Sequence, residues 1–487
     1  MKKRSLWLSA AAALIVAAAL AGCGKTSYFA GRTLPPSGLL NRVLISIDNA
    51  NALNKGALAF VDAFYDIRGS YNNKTASYPI SGYSGAQPVS IQNMPEEQKG
   101  AVYSSTDGFL AVVNYATEAI TGGNVRGLSG IYTSVFITRD QGYVFGTNPT
   151  GQIFTALDNG TGAGANFSLP GAYRVSVSPV GTSALVFAQN SNYAYYPREL
   201  TTAQGINYSG GPTTWPKAAI DCEPQTAPTW CLFQVQSPDH VDATGNAYGA
   251  PLAFDRPIKA VFSGDGSTAY VLNCGPECGG TTASIMQLPV APMIFRAGQA
   301  SGNLPTSTAL ASSTVAVSGG ASNALVASST IYIVGQQPQQ VQGQTLFGGN
   351  LTIFNAQNNT VSKPISISDG QPGTNSRMIL ADDNTLWIGM IKCNNGVRAA
   401  TGLPYGCLTM FNTATNSVTL VEPYQGDATG IASVTNLHKV YTAEGGQVYI
   451  HSTVDGSSID NQYVTVTGTA YDVAYMDGIS DYNNTVY

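Results

Sequence analysis

Six of the seven cysteines fall into pairs that are separated by only a few residues. The candidate pairs are Cys222 with Cys231, Cys274 with Cys278, and Cys393 with Cys407. Closely spaced cysteines can form disulfides or bind zinc, and the short spacing of the middle pair is one that zinc fingers use. A zinc site needs four ligands, however, and no second pair of Cys or His residues lies near the middle pair. The spacing therefore favours three disulfides, which form in an oxidising compartment.

Side chains that could act as acids or bases are few and scattered. The three histidines are His240, His438 and His451, and no two of them are spaced as ligands of one metal ion. A hydrolytic site would need a base, a polarising group and a substrate clamp that converge. Candidates for such a site are Asp48, Asp62, Asp427, Asp472, Arg174 and Arg256. Because Asp residues at turns are more often structural, no residue is assigned a catalytic, cofactor-binding or metal-binding role.

Aromatic side chains offer a second kind of chemistry, which is stacking on sugar rings. The candidates are Tyr193, Tyr195, Tyr196, Trp215 and Trp230. Tyrosines at strand positions more often pack within a sheet, so both interpretations stay open for these residues.

Charge and motif content exclude several classes of protein. The net charge is −5 and no run of Lys and Arg follows the first few residues, so nothing provides a positive field for nucleic acid. No Gly-x-Ser-x-Gly elbow is present. The segment from Gly22 to Thr26 has the look of a phosphate-binding loop, but it follows no strand. We expect neither a nucleic-acid partner nor a cofactor.

The amino terminus has the features of a bacterial export signal. Three basic residues, Lys2 to Arg4, precede an apolar run from Leu6 to Ala19 and the tetrapeptide Leu20-Ala21-Gly22-Cys23. This tetrapeptide resembles the lipobox, in which the signal is cut before a cysteine that then carries a diacylglycerol. The resemblance implies a signal peptide at residues 1–22 and lipidation of Cys23. The alternatives are an ordinary signal peptide with an incidental cysteine and a short membrane span.

A lipid on Cys23 would place the protein in the bacterial cell envelope. Gly24, rather than Asp, follows this cysteine, which by resemblance to lipoprotein sorting in enterobacteria implies the outer membrane, with the periplasmic side and the cell surface both left open. The small, polar and Pro-containing stretch 23–39 is expected to be a flexible tether, and residues 479–487 a tail. The membrane, contacted through the lipid, is the first expected partner.

The elements that would position these residues are short strands. Gly 53, Tyr 26 and only 10% charged residues are typical of strands joined by tight turns. The clearest unit runs from Pro257 to Leu288, where strand-like segments flank the turn Gly264 to Gly266. Similar segments recur with a period of roughly 40 to 60 residues, as in propellers and other repeat arrays.

The first unit of the chain lacks one strand, and one extra strand is predicted at the end of the chain, which closure of a ring would explain. The first unit, which begins with Val43 to Asp48, lacks an opening strand, and Tyr471 to Met476 is left over. Pairing these two segments would remove the exposed edge of a row of sheets. We predict an all-β protein in which residues 40–478 form a single β-propeller of seven to eight four-stranded blades. An irregular insertion at about 201–256 is expected on the binding face.

The repeat resembles that of YVTN-type propellers. Ser263 to Gly266 matches the turn of that repeat, and Thr268 to Asn273 matches its Tyr-Val-x-Asn strand. The layout is similar to exported acidobacterial propeller lipoproteins. The resemblance implies the fold, and it places the chain in a lactonase-like superfamily, so that lactone hydrolysis has to be weighed.

The sequence favours a binding or scaffolding module over an enzyme. We expect a lipid-anchored monomer that binds an envelope protein or a glycan through loops on a rigid ring. The alternative is a lactonase-like hydrolase with a site at the central channel. Convergence of Asp48, Asp472, Arg174 or a histidine within hydrogen-bond reach would favour the hydrolase.

Overall fold

The computed structural model describes residues 32–66, 77–87, 89–121, 128, 132–200, 219–224, 229–236, 240–241, 247–295, 313–459 and 464–479. The predicted signal peptide at 1–22, Cys23, most of the tether at 23–39, Trp215 and residues 480–487 lie outside the described residues. None of the helices in the described ranges has the length and apolarity that crossing a membrane requires.

The strands of blades 1 to 4 follow one another in chain order. Blade 1 begins with β1 (Arg42–Asp48), β2 (Gly56–Asp62) and β3 (Ser77–Ile80). Blade 2 contains β4 (Val89–Met94), β5 (Lys99–Ser104), β6 (Leu110–Asn114) and β7 (Ala119–Thr121). Blade 3 contains β8 (Ser134–Ile137), β9 (Tyr143–Asn148), β10 (Ile153–Asp158) and β11 (Gly164–Ser168). Blade 4 contains β12 (Ala172–Val177), β13 (Ala184–Ala188), β14 (Ala194–Leu200), β15 (Ala219–Glu223) and β16 (Thr229–Gln234).

Blades 5 to 8 complete the ring. A small hairpin of β17 (His240–Val241) and β18 (Ala247–Tyr248) precedes blade 5, which has β19 (Pro257–Phe262), β20 (Thr268–Asn273), β21 (Ser284–Pro289) and β22 (Ser313–Ala316). Blade 6 has β23 (Asn323–Ala327), β24 (Thr330–Val341), β25 (Gln344–Asn355), β26 (Thr360–Val361) and β27 (Ile365–Ser366). Blade 7 has β28 (Asn375–Leu380), β29 (Thr385–Met390), β30 (Leu408–Asn412) and β31 (Ser417–Val421). Blade 8 has β32 (Ala428–Val434), β33 (Lys439–Glu444) and β34 (Gln447–Ser452), and β35 (Thr469–Tyr475) is the last strand.

Helical structure in the described residues is limited to short segments. The α-helix α1 (Val397–Ala400) follows a 3-10 helix at Cys393–Asn395. Further 3-10 turns lie at Pro95–Glu97, Gly275–Cys278 and Ala291–Met293.

The chain closes the ring as the sequence predicts. Strand β35 pairs antiparallel with β1 from Val43 opposite Tyr475 to Asp48 opposite Thr469, so it becomes the fourth strand of blade 1. The first strand of every other blade and β35 contact their counterparts in neighbouring blades and surround the central channel. The protein is therefore an eight-bladed propeller, which resolves the predicted count of seven to eight.

The hydrophobic core lies between the blades. Eight buried apolar clusters among the described residues each join two neighbouring blades, one cluster at each junction of the ring. Between blades 4 and 5, for example, Phe187 and Phe233 pack with Val271 and Met286. Each fully buried side chain of this size contributes roughly 1.5–3 kcal/mol. No blade covers its own faces, so the ring stabilises its members mutually.

The described part of the insertion predicted at about 201–256 contains regular strands. Its stretches β15 and β16 add to the outer edge of blade 4, which thereby has five strands in the order β12-β13-β14-β16-β15. Cys222 lies opposite Cys231 in this added hairpin, and the two are joined in a disulfide. This strand pair was not predicted within the irregular stretch expected at about 201–256.

Candidate functional site

Polar side chains on the innermost strands connect neighbouring blades. The hydroxyl of Ser134 in blade 3 accepts a hydrogen bond from Val175 N in blade 4 at 3.2 Å. Ser176 in blade 4 accepts one from Ala260 N in blade 5, also at 3.2 Å. Each hydroxyl thus satisfies a backbone donor of the next blade, as buried polar groups require. These channel residues are structural links within the ring.

Asp472, the leading carboxylate candidate, is such a link as well. It is 2% exposed, and its Oδ2 accepts hydrogen bonds from Ile91 N in blade 2, at 2.8 Å, and from the guanidinium of Arg377 in blade 7. Arg377 Nε also donates to Thr429 O in blade 8 at 3.2 Å. Burial raises the pKa of Asp472, and the charge of Arg377 offsets part of that rise. The carboxylate thus links blade 1 to blades 2 and 7, and Arg377 extends this network to blade 8, so Asp472 is not available as a base.

Asp62 and Asp427 bind backbone N–H groups at separate places in the ring. Asp62 accepts a hydrogen bond from Phe64 N at 2.9 Å, which closes a local turn. Asp427 accepts one from Lys392 N at 2.7 Å. Both aspartates are structural, Asp62 within a turn and Asp427 by holding the loop that follows β29.

No hydrogen bond or ion pair joins Asp48, Asp472 and Arg174 in the part of the chain that the structure describes. Asp48 lies opposite Thr469, at the far end of the pairing with β35. Arg174 is half-buried over the ring of Tyr173, and Arg256 follows the β17–β18 hairpin with a left-handed φ of 58°. The convergence that would favour hydrolysis is absent among these described side chains.

The histidines also lie apart. His451 is fully buried, and its Nε2 lies 3.0 Å from Glu444 Oε1 and 3.2 Å from Thr442 Oγ1. The side chain of His438 is 62% exposed and lies 3.7 Å from Asp383, and His240 lies in β17. Across the described ranges, no group of three or more His, Cys, Asp or Glu residues is placed to hold a metal ion.

Most of the described aromatic candidates pack within a blade or between neighbouring blades. Trp230 is fully buried and meets Tyr143 edge to face, with ring centroids 5.8 Å apart. Tyr196 stacks on Phe233 at 5.2 Å. Of this group, Tyr193 is 41% exposed and could still contact a ligand.

The three predicted disulfides are present, and two of them mark one face of the ring. Cys274–Cys278 in blade 5 and Cys393–Cys407 in blade 7 both lie between the second and third strands of their blades. The same connection in blade 6 is the extended end of the β24–β25 hairpin. We call residues 274–283, 335–349 and 393–407 together the loop face. Equivalent loops of consecutive blades lie side by side, and α1 contacts both strands of the hairpin.

The sequence did not predict this hairpin. In this blade the sequence predicts strands only at 331–334 and 351–355, whereas β24 and β25 continue to a tight turn at Gln342 and Gly343, both with positive φ. Two consecutive residues with positive φ suit a two-residue hairpin turn. The sequence signal that could have located this hairpin is the pair Gln342 and Gly343, which suits a two-residue turn.

A buried carboxylate, Glu277, connects the loops of the loop face. It is 4% exposed and accepts hydrogen bonds from Gln336 N, at 2.9 Å, and from Gly373 N, at 2.8 Å. Burial raises the pKa of Glu277 to about 7, although these hydrogen bonds act in the opposite direction. One carboxylate between two cysteines therefore joins the loops of blades 5, 6 and 7.

Asp369 has a comparable role beside α1. It is fully buried and accepts a hydrogen bond from Arg398 N in that helix. Burial raises the pKa of Asp369 to about 6. Gly396 makes room for the carboxylate, because a Cβ there would lie 2.5 Å from Asp369 Cγ.

An open cleft of about 840 Å³ lies between the loops of blades 5 and 6. Its polar lining is uncharged apart from one lysine and consists mainly of Thr281, Thr282, Gln336, Gln337, Gln339 and Lys363. Prolines and small apolar side chains complete the walls. Clefts of this size hold small molecules or short polymer segments.

Comparisons with known proteins give similarity of fold only. Neither a family model nor a curated protein sequence matches the chain. Dihydro-heme d1 dehydrogenase NirN is 11% identical with a TM-score of 0.49, over 92% of this chain and 79% of that one. Hydrazine synthase of Kuenenia stuttgartiensis is 12% identical with a TM-score of 0.43, over 77% and 98%.

Lactonase-like propellers are also among the similar structures. A 6-phosphogluconolactonase-like protein of Bacteroides fragilis is 9% identical with a TM-score of 0.41, over 89% of this chain and 97% of that chain. Identities and scores this low transfer no substrate, cofactor or activity to the protein.

Proposed function

We propose that the protein is a lipid-anchored binding or scaffolding module of the bacterial cell envelope and that the loop face holds its partner. The observation that carries this proposal is the construction of that face. The Cys274–Cys278 disulfide, the β24–β25 hairpin and the buried Glu277 hold the loops of blades 5 and 6 around one open cleft, and the Cys393–Cys407 disulfide holds the adjoining loop of blade 7. Such loops keep their shape before binding, which lowers the entropy cost of association.

The lining of the cleft indicates the chemistry of the partner. Amides of Gln337 and Gln339 and hydroxyls of Thr281 and Thr282 can donate and accept hydrogen bonds, and only Lys363 among the lining residues carries a charge. A glycan or an uncharged peptide segment of an envelope protein matches such a surface. A strongly charged polymer does not match the nearly uncharged lining of the cleft.

The proposed cellular location of the module is based on the features of the amino terminus. Cleavage before Cys23 and lipidation of its thiol would hold the ring at the outer membrane through the tether 23–39. The YVTN-like repeat and the similarity to exported acidobacterial lipoproteins agree with this assignment.

The competing proposal, a lactonase-like hydrolase, has less support. It would need ionisable groups that converge at the channel, whereas Asp472 is committed to Arg377 and Ile91 N. His451 is buried inside blade 8, away from solvent. We therefore rank binding above hydrolysis.

Capture from a detergent-solubilised envelope tests the proposal when it is done with a matched pair of variants. The double variant Gln337→Ala/Gln339→Ala removes two cleft amides, and Thr415→Ala changes an exposed turn of blade 7 between its third and fourth strands. We expect intact protein and Thr415→Ala to retain the same partners and the cleft variant to lose them. Equal retention by all three, together with turnover of lactones by the intact protein, would favour the hydrolase.

A further inference from the structure

Five of the eight innermost strands carry a β-bulge near the same position. In β12, β19, β28, β32 and β35 the pairing with the adjacent strand shifts by one residue. The residues that directly follow the shift are Arg174, Lys259, Arg377, Gly430 and Asp472. A bulge bends its strand and re-aims the next side chain. Three cations and one carboxylate therefore occupy equivalent positions around the channel.

The contact between Arg377 and Asp472 shows that these side chains extend into the channel. Arg377 belongs to blade 7 and Asp472 to blade 1, so their ion pair passes blade 8. The equivalent residue of blade 8 is Gly430, where a Cβ would lie 2.7 Å from Asp472 Oδ1. The missing side chain thus makes room for the pair across the channel wall.

Arg174 and Lys259 have no such acidic partner. Lys259 Nζ donates to the neutral Oδ1 of Asn323 at 2.7 Å. The guanidinium of Arg174 lies 5.5 Å from the ring centroid of Tyr173. Within the described residues, no carboxylate forms an ion pair with either cation. The channel thus holds two adjacent positive groups whose charge the protein does not balance there.

Unbalanced charge in a buried place is energetically costly. Lys259 is only 6% exposed. Burial lowers the pKa of its ammonium well below the ordinary value, and the nearby charges of Arg174 and Arg377 lower it further. A bound anion would compensate these charges, and Arg174 is half-buried and thus keeps some contact with solvent.

We propose that Arg174 and Lys259 form a site in the central channel for a small oxyanion, a carboxylate or a phosphate. The guanidinium offers paired N–H donors that suit two oxygens of such a group, and the ammonium adds a third donor. The cation of Arg377, held by Asp472, provides a fixed positive charge beside the site. This site is separate from the cleft of the loop face and serves a different ligand.

Calorimetric titration with inorganic phosphate and with succinate tests the site and tells the two oxyanions apart. We expect saturable one-to-one binding of at least one of them, and an increase of at least tenfold in Kd in Arg174→Gln and in Lys259→Gln. The glutamine at 259 can still bond Asn323, which helps this variant to fold. Absence of saturable binding of both anions to the intact protein would overturn the proposal.

The matched control is Arg139→Gln, which removes a peripheral arginine that pairs with Glu96 at 2.8 Å. Its Kd for the anion should equal that of the intact protein. If Arg139→Gln weakens binding as much as Arg174→Gln does, the effect is one of overall charge and the channel site is wrong. The cleft variant Gln337→Ala/Gln339→Ala should bind the anion normally, so failure here and failure of the proposed function are distinguishable.

Discussion

The seam of the ring, where blade 1 meets its neighbours, and the loop face of blades 5 to 7 are held together by different means. Buried ion pairs cross the seam, and the loop face is held by disulfides and by carboxylates that accept backbone N–H groups. Because the seam joins the two ends of a long chain, it needs contacts that specify one pairing. The loop face needs only local rigidity, which short covalent loops supply.

The seam contains three buried ion-pair systems. Lys439 of blade 8 pairs with Asp66, which follows β2. Arg42 of β1 pairs with Asp477, beyond β35, at 2.6 Å and with Glu118 of blade 2 at 2.9 Å. The third system is the pair of Arg377 and Asp472 described above. Such pairs contribute little net stability, but the loss of one partner leaves a buried charge.

The largest effect is therefore expected at the seam. Arg42→Met would leave Asp477 and Glu118 without their cation, which should lower the free energy of unfolding by about 3–5 kcal/mol. Denaturant unfolding with the disulfides intact measures this loss. The partly exposed pair of Arg139 and Glu96 is the control, because Arg139→Gln should cost no more than about 1 kcal/mol. Similar losses in the two variants would remove the distinction between seam and surface.

A disulfide of the loop face should have the next largest effect. Replacing Cys393 and Cys407, which are 14 residues apart, by alanine should lower the free energy of unfolding by about 3 kcal/mol in the chain-entropy model. The shorter loop of Cys274–Cys278 predicts a smaller loss, of about 2 kcal/mol. Unfolding and partner capture should both be measured. Unchanged capture by the Cys393/Cys407 variant would show that loop rigidity does not serve binding.

A smaller loss is expected where a glycine accommodates a buried carboxylate. Gly396→Ala would force a Cβ against Asp369 and should cost about 1–3 kcal/mol, as overpacking does. Gly264→Ala is its control, because nothing lies within 4 Å of the added Cβ, and its effect should stay within about 0.5 kcal/mol. Equal melting temperatures for the two variants would contradict this packing.

The last expected effect is a dependence of stability on pH at the loop face. The pKa of Glu277 is raised in the folded protein, from 4.5 to about 7, so the fold binds a proton that the unfolded chain releases between these values. Its contribution to stability is therefore lost as pH rises through this window. The melting temperature of Glu277→Gln, relative to the intact protein, should be higher at pH 8 than at pH 4.5. An identical difference at both pH values would show that the carboxyl is not perturbed.

The sequence predicted the ring because the features that indicate it are local patterns or a simple count of strands. Alternating apolar residues marked the strands, and the unpaired segment at Tyr471 to Met476 matched the missing strand beside Val43 to Asp48. Short cysteine spacings predicted the disulfides. Each of these inferences uses residues that are close in sequence or a count of strands at the two ends of the chain.

The side-chain contacts of the seam, the hairpin and the bulges could not be predicted in this way. Arg42 and Asp477 are 435 residues apart, and no periodic pattern links them. The end of β24 and the turn, from Gln337 to Gln344, consist mostly of glutamine, so this part of the hairpin lacks the alternation that identifies a strand. The bulges before Arg174 and Lys259 become visible only from the pairing of strands.

Site-specific photo-crosslinking in the intact envelope tests the role of the loop face most directly. A photoreactive residue at Gln339, on the hairpin, should form one dominant adduct with an envelope protein or glycan. The same residue at Thr415, on an exposed turn of blade 7, should form none. Equal adducts from both positions, or none from either, would contradict a loop face that binds the partner.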